Sequence, residues 1–261
     1  MPSRPSRNRV LDELSRVAPT VYQRFQPDLE AVALPAGATL GPAPQPNEWI
    51  YFIESGIVSL VATARGGHSV GVALVGREGV AGIADALGQQ RPPSRLVVHL
   101  PGHAFRVAKP VIREHIFSCT ALHDLLMDQS QRLVHQLAQS ALCNRFHSSV
   151  QRLSRWLLLT AERARTWRLE LTHEFIAEAV GAPRSAVSEV APRLRASKSI
   201  DYRRGVLTIK NPSRLHRLAC ECAEVLSLAS DRGGEQWRPA SAEPTAGAAT
   251  AARPKRRGAT P

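Results

Sequence analysis

The chain has 261 residues, 43% of them hydrophobic, which is enough for two packed domains and a further segment. Its net charge of +12 and isoelectric point near 10.7 favour a polyanionic partner, with nucleic acid ahead of an anionic membrane surface. No apolar run approaches the roughly 20 residues that cross a bilayer, and the start MPSRPSRNRV is not followed by the apolar core of a signal peptide. We therefore expect a cytoplasmic protein without a membrane partner.

The first half of the chain predicts helices followed by a β-structure. Residues 1–30 read as one or two short helices with Val10, Leu11, Leu14 and Val17 on one face. Between residues 31 and 108, short apolar runs recur about every ten residues, separated by Gly, Pro and charged turns. The runs are AVAL, WIYFI, IVSLVA, SVGVALV, RLVVHL and AFRVA. This rhythm is typical of an antiparallel barrel, so we predict a β-roll.

From about Ile112 the pattern becomes helical. An apolar stripe at roughly 3.5-residue spacing predicts a long helix that could pair with its copy. The stripe consists of Leu122, Leu125, Leu126, Leu133, Leu137 and Ala141. Because it lasts only about three heptads and polar residues interrupt it, packing of this helix on its own β-roll remains an alternative. A second helix is predicted from Ser148 to Arg165, with its basic residues facing outward.

The segment LTHEFIAEAVGAPRSAVSEVAPRLRASKSI, residues 171–200, predicts two short amphipathic helices joined by a tight turn. Thr172 stands at an N-cap position. Gly181 follows the first apolar stripe, where a left-handed residue can end a helix, and Pro183 fits the first turn of the next one. Two helices joined in this way form a helix-turn-helix, and a helical hairpin within some other core is the alternative.

The second helix of this pair would turn Ala186, Val187, Val190 and Leu194 inward. Its outer face then carries the residues that we predict to meet a DNA major groove, namely Arg184, Ser185, Ser188 and Glu189. Pro192 falls inside the helix, where it lacks a backbone donor and its ring presses on the carbonyl of Ser188. We therefore expect the helix to end early or to kink.

A basic hairpin is predicted directly after the helices. Residues 200–202 and 206–209 alternate apolar and polar side chains around Arg203, Arg204 and Gly205, which indicates a wing. Guanidinium groups there would add salt-dependent affinity for phosphates without reading sequence, and a solvated turn is the alternative. Residues 231–261 are poor in apolar groups and contain PKRR, so we expect a disordered basic tail.

The four cysteines have no framework spacing, which favours a reducing compartment over a disulfide scaffold. Cys220 and Cys222 form a CxC motif, with His216 four residues before the first thiol. A structural zinc site usually needs four ligands at wider spacing, and a CxC on a helix would point its thiols apart. We therefore predict buried or idle thiols and no metal site. The sequence shows no His/Glu cluster, no phosphate loop and no nucleophile motif, so we do not expect an enzyme.

The order of these elements resembles the Crp/Fnr family of bacterial transcription regulators, over about residues 30–225. The helical segment is similar to the family pattern LTxxxIAxxLGxxRxTVxRxLxxLxxxGLI. YFIESGIVSLV and VALVGREGVAG resemble stretches of the family's sensor domain. The resemblance implies an α+β fold. Its parts are N-terminal helices with an antiparallel β-roll (a double-stranded β-helix like a cyclic-nucleotide-binding domain, 1–118), a dimerisation helix (119–145), a winged helix-turn-helix (146–230) and the tail (231–261).

The resemblance further implies a homodimer that binds double-stranded DNA and reads half-sites in a sequence-specific manner, with RNA polymerase as a further candidate partner. It places Thr172 and His173 near phosphates and Arg184 at a base. Glu189 stands where many members carry a second arginine, so we expect a different half-site. A ligand sensor or interaction protein on the same scaffold, without DNA binding, is the alternative function.

The candidate ligand site is the stretch GVAGIADALGQQRPPSRLVV, which corresponds to the family's phosphate cassette. Gly82, Arg91 and Ser94 are its remaining candidate residues. Two apolar residues follow Gly82 where a ribose-binding carboxylate is usual, and two prolines after Arg91 remove backbone donors. Family members with an iron–sulfur cluster need N-terminal cysteines, whereas the first one here is Cys119. We therefore expect no cofactor and no cyclic nucleotide, and the effector is unknown.

Overall fold

The computed structural model describes residues 8–41, 48–84 and 94–230. Two helices begin the described chain, α1 (Arg9–Val17) and α2 (Pro19–Phe25), and a 3-10 turn follows at Gln26–Asp28. Asn8 caps α1 by accepting from the backbone N–H groups of residues 10 and 11, and its amide donates to the Ile53 and Gly79 carbonyls at 2.9 Å each. This buried cap attaches α1 to the sheet, so the predicted N-terminal helices are confirmed.

A six-stranded antiparallel sheet forms the β-roll. Its strands are β1 (Glu30–Leu34), β2 (Thr39–Leu40), β3 (Trp49–Thr63), β4 (Ser69–Val75), β5 (Val80–Ala81) and β6 (Ser94–Ala108). The main order is β1-β6-β3-β4, with β2 paired to β6 and β5 paired to β3. β4 therefore lies at an edge, which leaves its outward backbone groups for other partners.

The two longest strands each join two of the runs that the sequence separates. β3 spans WIYFI and IVSLVA, and β6 spans RLVVHL and AFRVA, with the pairing register shifting between Ile53 and Val58. Gly56 adopts φ 84° there, and a Cβ on Gly102 would lie 2.0 Å from the Ser55 carbonyl oxygen. Glycines that read as turns in the sequence thus mark a bend within continuous strands.

Two apolar clusters pack on opposite faces of these strands. Alternate residues such as Ile50 and Phe52 meet α1, α2 and the helices after the roll, while Tyr51 and Ile53 belong to a cluster built by strand residues alone. The second cluster comprises Leu34, Tyr51, Ile53, Val58, Ala81, Leu96, Val98 and Ala104. The roll is therefore filled by its own side chains over this region.

Three helices follow the roll: α3 (Lys109–Ser118), α4 (Thr120–Phe146) and α5 (Ser149–Ala164). Leu122 and Leu126 of α4 are buried in the cluster with α1 and α2, so the first half of the long helix packs on its own roll. In the second half Val134 and Leu142 are 61% and 42% exposed. α5 begins with a capping box at Ser148 and ends at left-handed Arg165, which are the predicted bounds. Arg155 and Arg163 are buried, so the prediction that the basic residues of this helix face outward is wrong for these two.

The C-terminal elements are β7 (Arg168–Glu170), α6 (His173–Val180), α7 (Arg184–Ala196), β8 (Ile200–Arg203), β9 (Val206–Ile209), α8 (Pro212–Leu218) and α9 (Cys222–Ser230). Strand order is β7-β9-β8, so the predicted two-stranded wing has a third strand. We call residues 149–209, from α5 to β9, the C-terminal head. The fold is α+β, with an antiparallel roll, a long helix and a winged helix-turn-helix, as predicted.

The C-terminal head packs directly on the roll. A Cβ added at Gly71 of β4 would lie 2.8 Å from the Ala179 carbonyl oxygen of α6, so the two backbones approach closely. Arg95 of β6 forms an ion pair with Glu178 of α6. Within the three described segments, no helix combines the length and apolarity needed to cross a bilayer.

Candidate nucleic-acid interface

The turn between α6 and α7 has the geometry that its residue types predict. Thr172 caps α6, its Oγ1 accepting from the Phe175 N–H at 3.2 Å. Gly181 ends α6 in the left-handed region, with φ 62° and ψ 41°. The N–H of Ala182 donates to the Ala177 carbonyl at 3.0 Å, and that of Gly181 to Glu178 at 3.3 Å. This Schellman pattern satisfies the last carbonyls of α6 and sets the entry to α7.

Helix α7 presents a buried and an exposed face. Val187, Val190 and Leu194 are at most 5% exposed and pack into the core of the C-terminal head. Pro183 is the N-cap rather than a residue of the first turn, and its carbonyl accepts from two following N–H groups. All four predicted readout residues are exposed on the outer face: Arg184, Ser185, Ser188 and Glu189.

Pro192 lies inside α7, but the helix continues to Ala196, so the prediction that it ends early is wrong. The side chain of Pro192 is exposed, whereas Val190 and Leu194, two residues before and two after it, are buried in the core. The last turn keeps its own hydrogen bonds, because the Ser197 N–H donates to the Arg193 carbonyl at 3.0 Å. Tertiary packing of the inner face therefore outweighs the loss of one hydrogen bond on the outer face.

The wing is a tight hairpin. Arg203 pairs with Val206, which leaves a loop of Arg204 and Gly205 with φ of 50° and 78°. Two left-handed central residues define a type I′ turn, whose twist matches that of the flanking strands. Both arginines are exposed, as predicted. Arg203 Nε lies 3.2 Å from an oxygen of Asp201, so part of its charge is offset within the wing.

His173 connects the first helix of the motif to the second helix and to the wing. Its ring stacks on Tyr202 of β8, with centroids 4.8 Å apart and planes at 20°, and its Nδ1 lies 3.3 Å from the Ser188 hydroxyl. Tyr202 in turn donates its hydroxyl hydrogen to the Leu171 carbonyl at 2.9 Å. The structure thus brings the predicted residues of α6, α7 and β8 together. The sequence analysis did not identify Tyr202. The position of this aromatic residue directly before the basic turn was a signal that could have indicated it.

The carboxylate on the exposed face of α7 is paired. Glu189 Oε1 lies 2.5 Å from Arg193 Nη2, one turn later, with both side chains about two-thirds exposed. Arg195, also exposed, lies 3.4 Å from Asp201 through its Nε. The i, i+4 spacing of Glu189 and Arg193 was a signal for the first pair that our sequence reasoning did not use. An exposed pair of this kind is weak, so either side chain can exchange its partner for another charged group.

The structure describes only part of the candidate ligand site. Gly82 follows β5 with φ 86°, and Ser94 begins β6, where it pairs with Ala62. Arg91 lies outside the described residues, as does the predicted tail, 231–261.

The prediction that the CxC thiols point apart is wrong. Cys220 precedes α9 and Cys222 begins it, so the two residues do not share a regular helix. Both are buried, and they lie in one cluster with Cys143 and His147 rather than with His216. No local pattern could predict this cluster, because Cys143 and Cys220 are 77 residues apart.

The most specific similarity to known proteins lies in the C-terminal head. A model for the Crp-like helix-turn-helix domain matches residues 151–218. The global nitrogen regulator of Synechococcus elongatus is 26% identical over 179 residues, which cover 65% of this chain and 81% of that protein. The corresponding regulator of Synechocystis is 25% identical over 180 residues, covering 65% of this chain and 80% of that one.

Solved structures share the whole architecture. FixK2 from Bradyrhizobium japonicum aligns with a TM-score of 0.63 at 15% identity, covering 74% of this chain and 98% of that one. A Crp/Fnr-family transcriptional regulator from Eubacterium rectale aligns with a TM-score of 0.63 at 12% identity, covering 78% and 95%. At such identities the likeness concerns the fold alone. Residues 151–218 form a Crp-like helix-turn-helix domain, and the chain is similar to the DNA-binding transcription regulators of the Crp/Fnr family.

Proposed function

We propose that this protein is a homodimeric, sequence-specific regulator of the cytoplasm, in which α7 enters the major groove and the β8–β9 wing lies against the phosphate backbone. The observation that carries the proposal is the contact of His173 with both Ser188 and Tyr202. It joins the start of α6, the exposed face of α7 and the wing into one surface, so groups that contact bases and groups that contact phosphates have fixed relative positions.

Each predicted residue has a role on this surface. Arg184, exposed in the first turn of α7, can donate two hydrogen bonds to guanine O6 and N7. Glu189 can accept from cytosine N4 when Arg193 turns to a phosphate instead. Ser185 and Ser188 are short donors beside them, whereas Thr172, His173, Arg203 and Arg204 face the backbone. The half-site therefore pairs one guanine contact with one cytosine contact.

The second half of α4 supports the proposed dimer. Val134 and Leu142, together with Phe146 at 72%, are large apolar residues with an exposed side, and Ala138 and Ala141 lie exposed between them. Helices that pair along such a face bury it against the same face of a second copy. Two heads on one dimer would then contact half-sites about 34 Å apart. The end of α3 at Ser118 and of α4 at Phe146 supports the proposed domain boundaries near 118 and 145.

The roll would control the heads without a cyclic nucleotide. The strand cluster around Tyr51 and Val58 is filled with apolar side chains, and the cassette lacks the carboxylate that a ribose would need. Because the C-terminal head is ion-paired to the roll through Arg95 and Glu178, an event in the roll can shift the head, and the affinities for effector and DNA are then coupled reciprocally. RNA polymerase remains a predicted partner.

Binding selection from a pool of genomic fragments, followed by anisotropy titrations at two salt concentrations, tests the proposal. We expect a palindromic preference and steep salt dependence. Arg184→Ala should weaken binding to the selected site about 5- to 150-fold and relax one base position, which corresponds to roughly 1–3 kcal/mol. Arg204→Ala should weaken binding to all DNA sequences alike. It should also reduce the slope of the logarithm of affinity against the logarithm of salt concentration by about 1.

Arg168→Ala is the matched control, because Arg168 is 66% exposed on β7 and was not assigned to the surface. Absence of a sequence preference together with no binding at low salt would refute the proposal. That result would favour the second candidate, a ligand sensor or interaction protein on this scaffold. Pro192 and the carboxylate of Glu189, both on the exposed face of α7, are the features that favour it.

A further inference from the structure

Three cysteines and one histidine converge where the long helix meets the C-terminal head. Cys143 lies in the last turn of α4, His147 is the residue that caps its end, and Cys220 and Cys222 flank the start of α9. Their ligand atoms, three Sγ and one imidazole nitrogen, all lie within 4.8 Å of one another. The thiols are buried, and the His147 side chain is 11% exposed. Buried soft ligands in such a compact group are typical of a metal centre.

Two of the distances between the ligand atoms match those around a tetrahedral ion, and all of them are at most 4.8 Å. Zinc–sulfur bonds of about 2.3 Å and zinc–nitrogen bonds of about 2.0–2.1 Å place neighbouring sulfurs roughly 3.8 Å apart and a sulfur and nitrogen roughly 3.6 Å apart. In the structure Cys143 Sγ and Cys220 Sγ are 3.6 Å apart, and Cys222 Sγ and His147 Nδ1 are 3.5 Å apart. An ion could therefore enter with little movement of the chain.

Two further side chains orient the ligands. Glu221 Oε1 lies 3.1 Å from His147 Nε2, so the carboxylate can hold the ring hydrogen there and leave Nδ1 directed at the cysteines. Gln139, one turn before Cys143, donates its amide to Cys222 Sγ at 3.0 Å. A carboxylate behind a histidine ligand and a donor to a thiolate are the usual outer partners of metal ligands.

We propose that Cys143, His147, Cys220 and Cys222 bind one zinc ion as a structural Cys3His site. A disulfide between Cys143 and Cys220 would use only two of the four groups and would leave the orientation of His147 unexplained. The narrow spacing fits one ion rather than an iron–sulfur cluster, which separates its cysteine ligands by the cluster itself. Because all four positions are filled by protein groups, the site is structural rather than open to a substrate.

The ion would join two segments that are distant in the chain. α4 and α5 are separated only by residues 147 and 148, and the site attaches this junction to the start of α9. Zinc bound there would hold the C-terminal head at one angle to the long helix, and its removal would lower the melting temperature.

The test has two parts. The metal content of the full chain, purified without chelator, is measured, and the metal-free protein is titrated with Co²⁺ while its absorption spectrum is recorded. We expect one zinc per chain. Cobalt should give an intense thiolate charge-transfer band and the visible bands of tetrahedral coordination, and both signals should be lost in Cys220→Ser and in His147→Asn. Cys119→Ser is the control, since Cys119 is also buried but caps the other end of α4.

A third variant keeps the test valid if the ligand substitutions unfold the chain. Glu221→Gln retains all four ligands at a side chain that is 69% exposed, and it should weaken zinc binding about 10- to 100-fold. Three results would overturn the proposal: no retained zinc and no cobalt spectrum in the folded wild type, metal content unchanged in both ligand variants, or a Cys143–Cys220 disulfide in protein kept under reductant. No DNA is used, so this site can fail while the proposed regulator stands.

Discussion

Arg163 should be one of the most sensitive positions for stability, because its buried side chain joins the roll, the long helix and the C-terminal head. It lies on α5 and is 3% exposed at the side chain. Its Nη1 donates to the Leu74 carbonyl of edge strand β4 at 2.5 Å and to Gln136 Oε1 of α4 at 3.0 Å. Its Nε lies 3.4 Å from Glu78 Oε1, a carboxylate that is only 12% exposed.

Replacing Arg163 with methionine keeps much of the volume and removes the charge and every donor. Glu78 then stays nearly buried without its cation, and the Leu74 carbonyl loses a charged donor. Removing one partner of a buried ion pair costs about 3–5 kcal/mol. Because Glu78 also accepts from the Gly76 N–H at 3.0 Å, we expect the lower end, about 3 kcal/mol.

Urea unfolding followed by circular dichroism measures this loss. Arg168→Met is the control, because Arg168 is 66% exposed and 3.9 Å from Glu170, so its loss should cost under about 1 kcal/mol. Adding Glu78→Gln to Arg163→Met should recover part of the stability, since no uncompensated charge then remains. The reasoning is refuted if Arg163→Met and Arg168→Met unfold at the same urea concentration.

Three further predictions concern the helix, the wing and the roll. Pro192→Ala should raise the melting temperature by restoring the hydrogen bond to the Ser188 carbonyl, a gain of up to about 3 kcal/mol; an unchanged or lower value would contradict it. Gly205→Ala should destabilise the wing by about 1–2 kcal/mol in urea unfolding, because φ is 78° there; equal stability would count against a strained turn. Burial, and then the charge of Arg95, lower the pKa of His99 from 6.5 to about 4, so the folded form stays neutral while the unfolded chain takes up a proton. Stability should therefore fall between pH 6.5 and pH 4 by on the order of 3 kcal/mol, and the fall should shrink in His99→Gln; the same fall in that variant would show that another group is responsible.

The local features of the head could be predicted because each depends on neighbouring residues. Thr172 caps α6 through an N–H three residues away, and Gly181 ends it in a conformation that glycine adopts readily. Gly205, with Arg204, forms the wing turn in the same local way. The alternation of apolar residues likewise predicted the wing strands, and their helical spacing predicted the inner face of α7.

Other features arise only when distant segments meet. The continuation of α7 through Pro192 follows from the packing of Val190 and Leu194, which outweighs a local preference. The joining of strand runs at Gly56 depends on the opposing strand, where Gly102 has no Cβ. Neither effect is visible in a window of consecutive residues.

By itself the amino-acid sequence determined the order of elements, the class of fold and the exposed face of α7, since hydrophobic period and capping act over a few residues. Only the tertiary structure decided that Cys143 and His147 meet Cys220 and Cys222, and that Arg163 reaches both the roll and the long helix. Such contacts require chain segments tens of residues apart to pack together, and their geometry is set by the sum of that packing rather than by any one motif.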